Sequence, residues 1–335
     1  MRILLATDAW APQVNGVVMT LRNTIRGVEA AGHVVEVIGP DRFRSIPCPT
    51  YPEIRLALRP YPRFAELARR FAPDVVHIAT EGPVGLAARK FCLREQLAFT
   101  SAYHTRFPEY VHARIRLPLH LTYEWLRRFH APGRALMVPT AAIHDVLERR
   151  RFRNLVMWSR GVDTELFRPG PRLATEWARP VFMYVGRVAV EKNIDAFLAL
   201  DLPGTKVVVG DGPQRPLLQR RFPATVFTGA KMGEELAAYF RSADVFVFPS
   251  RTDTFGLVLL EAMASGTPAA AFPVTGPIDV IAPGRSGVLS EDLRAAALAA
   301  LELSRDVVRS HALAFSWERA TAQFLDNLVP NRASA

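Results

Sequence analysis

Cysteines are scarce in this sequence, and long apolar stretches are absent. Two of the 335 residues are cysteines, Cys48 and Cys92, which is too few for a disulfide framework. No apolar run reaches the roughly 18 residues of a membrane-spanning helix. The opening MRILLATDAW also lacks the basic, apolar and cleavage regions of a signal peptide. These absences predict a cytoplasmic protein whose first residues form a strand.

The sequence also lacks the motifs of several common binding sites. No G-x-G-x-x-G follows a predicted strand, which argues against an NAD-dependent dehydrogenase. His104 and His112 have no cysteine or acidic residue at the spacing of a zinc site, so we expect no metal. Nucleic acid is suggested by charge alone. Because no recognition motif accompanies that charge, we expect no nucleic-acid partner.

Positive charge is present in excess and is concentrated in the first half of the chain. Residues 1–160 contain 24 Lys and Arg against 13 Asp and Glu, a net charge of +11, whereas residues 161–335 contain 18 against 19, a net charge of −1. A basic half predicts an anionic partner, such as a membrane surface or a phosphorylated substrate. An arginine-rich solvated surface is the alternative interpretation.

The order of predicted elements indicates two α/β domains. Short apolar runs alternate with amphipathic helices, which is typical of a parallel sheet covered on both faces. In the first half the predicted strands are RILLAT, VVEVIGP, DVVHIAT, AFTSAYH, ALMVPT and NLVMWS. The Pro-, Gly- and Arg-rich residues 161–179 interrupt this alternation, which then restarts with PVFMYVGRV, TKVVVG, TVFTG, DVFVFPS and PAAAFPV. We therefore predict two doubly wound, Rossmann-like domains facing across a cleft. Their bounds are 1–160 and 180–313, with 161–179 as a linker and a helix within 314–330 that packs back on the first domain.

Two cations follow the first predicted strand of the second domain. Arg187 comes directly after FMYVG, and Lys192 lies five residues further on. Ligands of doubly wound sheets bind at the carboxyl ends of the strands, and two cations there suit a diphosphate. A pair of solvated surface cations is the alternative.

The stretch 249–268, PSRTDTFGLVLLEAMASGTP, places one acid in a loop and another on a helix. Asp253 lies in the loop, and Phe255 and Gly256 lead into the helix, whose first N–H groups form an anion site. Glu261 lies further along the helix, where a carboxylate can accept two sugar hydroxyls. This arrangement fits a nucleotide, although a capping Asp and a solvent-facing Glu would give the same pattern.

The first domain offers two further candidates at predicted strand ends. Gly16 opens the first helix after an Asn-Gly turn, and that helix start is a second possible anion site. His104 ends the predicted strand AFTSAYH and enters a loop, which makes it a site candidate. A purely structural histidine is the alternative.

Together these motifs resemble the group 1 glycosyltransferases, which are retaining enzymes of the GT-B fold. GRVAVEKN is similar to the family's Gly-Arg…Glu-Lys-Asn motif, and DTFGLVLLE is similar to its E-x7-E motif; NGV and SRGVDTELF also match. DAWAPQVNGVV, TEGPVGLAARK and YHTRFPEY resemble the branch that contains GDP-mannose-dependent α-mannosyltransferases and diacylglycerol glycosyltransferases. The resemblance runs in order through the whole chain.

The resemblance implies roles for the matching residues of the donor site. Arg187 and Lys192 would hold the donor diphosphate, and Glu261 would bind the ribose. The backbone of 255–257, which is Phe255, Gly256 and Leu257, would bind the distal phosphate. Lys231 would lie near the base. No metal cofactor is needed in such a site, because cations and helix ends take its place.

The resemblance also implies how the first domain and the loop acid take part. Gly16 would allow the donor phosphate to approach, and His104 would contact the donor sugar near its reacting carbon. Asp253 stands where the family has Glu, so its carboxylate lies roughly 1.5 Å nearer the backbone, about the length of one methylene. Asp253, His104, Arg187 and Lys192 are the expected catalytic residues.

The expected reaction is retaining transfer of a hexosyl group from GDP-mannose or a UDP-hexose to a lipid, in membrane glycolipid synthesis. A soluble or lipid-linked glycan acceptor, or a non-hydrolysing sugar-nucleotide epimerase, remains an alternative. The stretch ARIRLPLHLTYEWLRRFH interleaves Arg with Leu, Tyr and Trp, which suits peripheral contact with an anionic membrane. A core helix pair with an Arg-rich exposed side is the other interpretation.

Overall fold

The computed structural model describes residues 1–13, 15–48 and 51–331, and these form two compact units. The first unit comprises Met1–Ser159 together with the chain from Trp317 onward, and the second comprises Arg160–Ser316. Each unit contains a six-stranded sheet in which all pairs of neighbouring strands are parallel. The predicted α/β fold with two parallel sheets is confirmed.

The sheet of the first unit has the strand order β2-β1-β5-β6-β7-β8, and β3 and β4 form a separate antiparallel pair. All six strands of the sheet were predicted from their apolar runs, whereas the β3–β4 pair was not. The strands are β1 (Arg2–Ala6), β2 (Val34–Ile38), β3 (Ser45–Cys48), β4 (Tyr51–Ala57), β5 (Val75–Ile78), β6 (Thr100–Ala102), β7 (Ala135–Val138) and β8 (Leu155–Met157).

Helices connect successive strands of this sheet and cover both of its faces. Along β1, Leu4 and Ala6 belong to one buried cluster, and Ile3 and Leu5 belong to another on the opposite face. The helices are α1 (Gly16–Ala30), α2 (Tyr61–Phe71), α3 (Pro83–Arg94), α4 (Phe107–Ile115), α5 (Leu119–His130) and α6 (Ala141–Arg149).

The sheet of the second unit has the order β11-β10-β9-β12-β13-β14. Alternate residues of its central strand again enter two clusters, so helices pack on both faces. The short strand β14 was not predicted. The strands are β9 (Val181–Val185), β10 (Thr205–Val209), β11 (Val226–Gly229), β12 (Val245–Phe248), β13 (Ala269–Ala271) and β14 (Gly287–Leu289).

The helices of the second unit follow its strands at their carboxyl ends. A short 3-10 helix at Val190–Lys192 lies in the loop after β9. The α-helices are α7 (Ile194–Leu198), α8 (Arg215–Arg221), α9 (Gly233–Ser242), α10 (Leu257–Ala264), α11 (Pro277–Val280), α12 (Leu293–Ala300) and α13 (Arg305–Ala312).

The last helix, α14 (Trp317–Asp326), contributes to the core of the first unit. Phe324 is buried and lies 4.9 Å from Trp158 and 5.0 Å from His77, measured between ring centroids. The Gln323 amide oxygen accepts a hydrogen bond from the backbone N–H of Ser159. The first unit therefore combines residues from both ends of the chain.

Residues 160–180, all of which the structure describes, contain neither helix nor strand, yet they are not solvated throughout. Val162 and Phe167 are buried in the core of the second unit, and Trp177 packs on Tyr239 with a ring-centroid distance of 6.1 Å. Across the described ranges of the chain, no helix has the length and apolar character required to cross a membrane.

Candidate active site

The loops at the carboxyl edge of the second sheet pack backbone against backbone. A Cβ at Gly210 would lie 1.8 Å from the carbonyl oxygen of Gly186, and one at Gly212 would lie 2.4 Å from that of Val188. Both glycines also have positive φ angles, +149° and +155°. Only glycine allows the loops after β9 and β10 to approach this closely.

The loops after β9 and β12 are joined by side-chain contacts. Lys192 Nζ lies 2.5 Å from Asp253 Oδ1, and Asn193 Nδ2 donates a hydrogen bond of 3.0 Å to the carbonyl of Pro249. Asn193 has a φ of +53°, a conformation that asparagine tolerates better than most residues. These contacts hold two of the predicted donor-site residues, Lys192 and Asp253, against each other.

Asp253 presents a second oxygen that the ion pair does not use. Its side chain is 15% exposed, and Oδ2 is buried with no hydrogen-bond partner among the described residues. The loop after β13 comes close at Gly276 (φ +93°), where an added Cβ would lie 3.1 Å from the Asp253 carbonyl. A buried acceptor without a hydrogen-bond partner is unfavourable. Oδ2 is therefore well suited to accept a hydrogen bond from a hydroxyl group of a ligand.

Arg187 lies one residue beyond the loop glycine that follows β9. Its carbonyl accepts a 2.9 Å hydrogen bond from the Tyr184 hydroxyl, and the residue is half-buried. The Tyr184 side chain therefore fixes the backbone from which the guanidinium extends, on the same loop as Lys192.

The start of α10 is the predicted anion site of the second unit. Gly256 precedes the helix with a φ of +85°, and among the described residues no side chain caps the first N–H groups. Phe255 is 5% exposed and packs in the core, so its side chain anchors the loop immediately before the helix. Uncapped N–H groups at a helix start attract negative charge, and Leu257 is the first residue of this helix.

Glu261 lies on α10, five residues beyond Gly256. Burial raises the pKa of its carboxyl to about 7, although the residue retains some solvent exposure. A carboxyl group in a poorly hydrated site is destabilised in its charged form. Ligand hydroxyls that donate to the carboxylate would replace the lost water.

Lys231 follows β11 at the same edge of the sheet. Its Nζ lies 2.5 Å from Glu235 Oε1, and this hydrogen bond raises the pKa of the lysine. Its ammonium group also lies 5.7 Å from the centre of the Tyr239 ring. Lys231 is thus fixed by α9 rather than by the loops that hold Lys192 and Asp253.

In the first unit, Gly16 is exposed at the start of α1. Asn15 precedes it, and Asn15 Oδ1 accepts hydrogen bonds of 3.0 Å from the N–H groups of both Val17 and Val18. The Asn15 side chain therefore caps two of the N–H groups that we expected to bind an anion.

His104 lies two residues beyond β6, at the carboxyl edge of the first sheet. Its ring packs edge-on against Trp158 with a centroid distance of 5.4 Å, and the residue is half-buried. Trp158 is fully buried. The indole therefore supports one side of the imidazole and fixes its position at the sheet edge.

The structure adds a hydrogen-bonded chain that sequence reasoning missed. Ser101 Oγ lies 2.9 Å from His130 Nδ1, and His130 Nε2 lies 3.2 Å from Glu81 Oε1. Ser101 and His130 are buried, while the Glu81 side chain is 19% exposed. Glu81 follows β5, so this chain fixes a partly exposed carboxylate at the same sheet edge as His104.

Asp8 is a second acid at this edge with a different environment. Its carboxylate accepts hydrogen bonds from the Thr80 hydroxyl (2.9 Å) and from the N–H groups of Val84 (2.8 Å) and Gly85 (3.2 Å). Burial is the main cause that raises its pKa, against these hydrogen bonds. Asp8 therefore caps the start of α3.

Comparison with known proteins identifies the family to which this arrangement of loops belongs. Models described as "Glycosyl transferases group 1" and "Glycosyltransferase Family 4" match residues 179–306 and 14–166. A "GDP-mannose-dependent alpha-mannosyltransferase" of Mycobacterium tuberculosis is 32% identical over 86% of this chain and 83% of its own length. The chain belongs to the group 1 glycosyltransferases. It is a hexosyltransferase, as the sequence predicted.

Other relatives of this glycosyltransferase carry different names. An "Alpha-monoglucosyldiacylglycerol synthase" of Streptococcus pneumoniae is 27% identical over 80% of this chain and 70% of its own. The solved structure of a sucrose-phosphate synthase from Thermosynechococcus elongatus matches with a TM-score of 0.79 and 21% identity over 97% of both chains. This structural similarity supports the GT-B fold.

The raised pKa of Glu261 predicts that Glu261→Gln stabilises the protein at alkaline pH. Between pH 4.5 and about 7 the folded protein keeps a proton that the unfolded chain releases, so the free energy of unfolding falls as pH rises. The full effect above pH 7 is at most about 3 kcal/mol, and less because solvent still reaches the residue. Glu261→Gln should therefore raise the melting temperature at pH 8 and change it little at pH 5.

Thermal unfolding by circular dichroism at both pH values measures this effect. Glu302→Gln, at an exposed position of the same unit, is the matched control and should leave the melting temperature unchanged at either pH. Equal melting temperatures of Glu261→Gln and the parent at pH 8 would contradict the prediction.

Proposed function

We propose that the protein transfers a hexosyl group, with retention, from GDP-mannose or a UDP-hexose to a lipid acceptor. The observation that carries this proposal is the linked pair of loops after β9 and β12. They hold Lys192 against Asp253 and leave Asp253 Oδ2 without a partner among the described residues. A cation for a diphosphate and an acceptor atom for a sugar hydroxyl thus lie side by side.

The donor would lie along the carboxyl edge of the second sheet. Arg187, Lys192 and the uncapped start of α10 would bind the diphosphate, and the Glu261 carboxylate would accept the ribose hydroxyls. Because ionised Glu261 is the better acceptor and its pKa is about 7, donor affinity should increase as pH rises through 7. Lys231, held by Glu235, would lie on the side of the base.

The chemical step breaks the bond between the anomeric carbon and the phosphate oxygen. Negative charge develops on the leaving diphosphate, where Arg187, Lys192 and the helix start stabilise it. The anomeric carbon becomes oxocarbenium-like. Retention follows if the acceptor hydroxyl attacks the face that the phosphate leaves and gives its proton to a phosphate oxygen. His104, supported by Trp158, would position the sugar during this step.

His104→Ala tests that positioning role. We expect turnover to fall about 100-fold, because small errors in position cost this much, while donor affinity changes less than about threefold. Turnover is measured as release of nucleoside diphosphate, and affinity by calorimetry with the intact donor. His144→Ala, on the surface of α6, is the control. Equal losses of turnover and donor affinity would count against the role.

A lipid acceptor is supported by an exposed apolar surface on α4 and α5. Trp125 is 41% exposed and lies 6.3 Å from Phe107, which is 43% exposed, measured between ring centroids. Leu121 is 50% exposed, one turn before Trp125 on the same face of α5. Leu117, between the helices, is also exposed. Arginines flank this surface, as in segments that lie on anionic membranes.

Leu121→Ser tests contact with a membrane surface. The variant should bind vesicles of phosphatidylcholine and phosphatidylglycerol about tenfold more weakly in flotation, because a leucine side chain no longer leaves water. Leu313→Ser is a matched control, since Leu313 is 49% exposed but belongs to the second unit. If the parent protein fails to float at low as well as high salt, the membrane proposal is wrong.

A donor panel tests the reaction itself. The protein is mixed with diacylglycerol in detergent and, separately, GDP-mannose, UDP-glucose, UDP-galactose or UDP-glucuronate. Mass spectrometry should detect a lipid that has gained one hexose or hexuronate with one of these donors. Tight binding of one donor without a lipid product would support transferase activity and would indicate a soluble glycan as the acceptor. Binding of no donor would contradict the proposed function.

A further inference from the structure

An open cavity of about 190 Å³ lies on the outside of the first unit, beside α5 and the end of α6. It is lined by His120, Tyr123, Glu124, Arg127 and Arg150. None of these residues belongs to the candidate active site.

The floor of the cavity is an aromatic ring whose polar group is already bonded. The Tyr123 side chain is buried, and its hydroxyl donates a 2.7 Å hydrogen bond to Glu109 Oε1. The Arg150 guanidinium lies above the ring, 3.7 Å from its centroid. Among the described residues Arg150 forms no ion pair, so the ring fixes its guanidinium while its N–H donors remain available.

The single carboxylate of the lining is paired with guanidinium groups. Glu124 Oε2 accepts from Arg127 Nη2 at 2.5 Å, and Glu124 Oε1 accepts from Arg128 Nε at 2.8 Å. The Arg127 hydrogen bond is the main cause that lowers the pKa of Glu124. With Arg150 unpaired among the described residues, the cavity and its immediate surroundings carry a net positive charge even when His120 is neutral.

Planar guanidinium groups and an imidazole beside one small cavity form a typical site for a tetrahedral oxyanion. Arginine donates to phosphate through two parallel N–H groups, and a fixed guanidinium loses little side-chain entropy when it does so. An apolar ligand would leave these donors without partners, which is unfavourable. The chemistry of the lining therefore selects an anion.

We propose that this cavity binds a phosphate group, with Arg150 as its main donor and Arg127 as a second donor through the N–H groups that Glu124 does not occupy. On α5 the cavity residues lie roughly a third of a turn from Leu121 and Trp125. A phosphate bound here would thus lie close to the exposed apolar surface, as the headgroup of a phospholipid does. Free phosphate offers the same oxyanion. This binding does not depend on the sugar-transfer reaction.

The test compares variants of the full chain in two binding assays. One assay measures inorganic phosphate by calorimetry, with chloride at equal ionic strength as the reference. The other measures co-flotation with vesicles of phosphatidylcholine, with or without phosphatidylglycerol. Arg150→Gln should weaken binding at least tenfold, because it removes a charged hydrogen-bond donor.

Arg128→Gln is the matched control. Arg128 pairs with the same glutamate and is 78% exposed, but it does not line the cavity. The Arg128→Gln substitution removes the same charge as Arg150→Gln. It should therefore weaken vesicle binding by no more than about fivefold, which is the general contribution of one arginine at an anionic surface. It should leave phosphate binding unchanged.

Glu124→Gln should strengthen anion binding, which a loss of folding could not do. Removing the carboxylate releases Arg127 to the anion, so the variant should bind phosphate and anionic vesicles more tightly than the parent. Circular dichroism should show that all three variants melt within a few degrees of the parent.

The outcomes distinguish the two sources of phosphate, and two of them would overturn the proposal. Loss in both assays with Arg150→Gln supports a general phosphate site, and loss with vesicles alone supports a phospholipid headgroup. Equal effects of Arg150→Gln and Arg128→Gln would overturn the cavity site while leaving the membrane surface of Leu121 intact. Absence of binding by the parent in both assays would also overturn it.

Discussion

The loops at the carboxyl edge of the second sheet can pack as closely as they do only because glycine stands where they meet. Parallel strands all end at one edge, so their loops compete for the same space. A side chain at Gly210 would overlap the carbonyl of Gly186. The loop after β9 that these glycines position also carries Lys192, which reaches Asp253 in the loop after β12, 61 positions further along the chain. Glycines and an ion pair thus hold three neighbouring loops of the candidate site together.

Two acids of the candidate site lower the stability of the protein when no ligand is bound. Glu261 sits where burial disfavours its charge, and Asp253 keeps an oxygen without a partner among the described residues. Groups of this kind lower stability, and they are common where a ligand completes the hydrogen bonding. Asp8 shows the contrast, because hydrogen bonds from the start of α3 satisfy its buried carboxylate. In our proposal Glu261 and Asp253 thus bind a ligand, whereas Asp8 stabilises the fold.

The sequence predicts the sheets, which the structure confirms, and the donor-side residues, which stay a prediction, because both leave local signals. The strand VFMYV is buried along its whole length, so it reads as an uninterrupted apolar run. Arg187, Lys192, Asp253 and Glu261 lie in the loops and the helix that come after such strands. The strand β14 has only two apolar side chains, and Ser286 and Ser290 flank it, so no apolar run indicates it. The chain from Ser101 through His130 to Glu81 joins residues 29 and 49 positions apart, so only the folded structure reveals it.

The contribution of α14 to the first unit has a consequence for the order in which the protein is made. Residues up to Ser159 leave the ribosome before the second unit, and Phe324 follows only after all of it. At about 5–20 residues per second, the wait between Ser159 and Trp317 is roughly 8 to 30 s. During this time His77 and Trp158 lack the ring that completes their cluster. The second unit can thus finish folding first, and the first unit closes its core only after the whole of the second unit has been made.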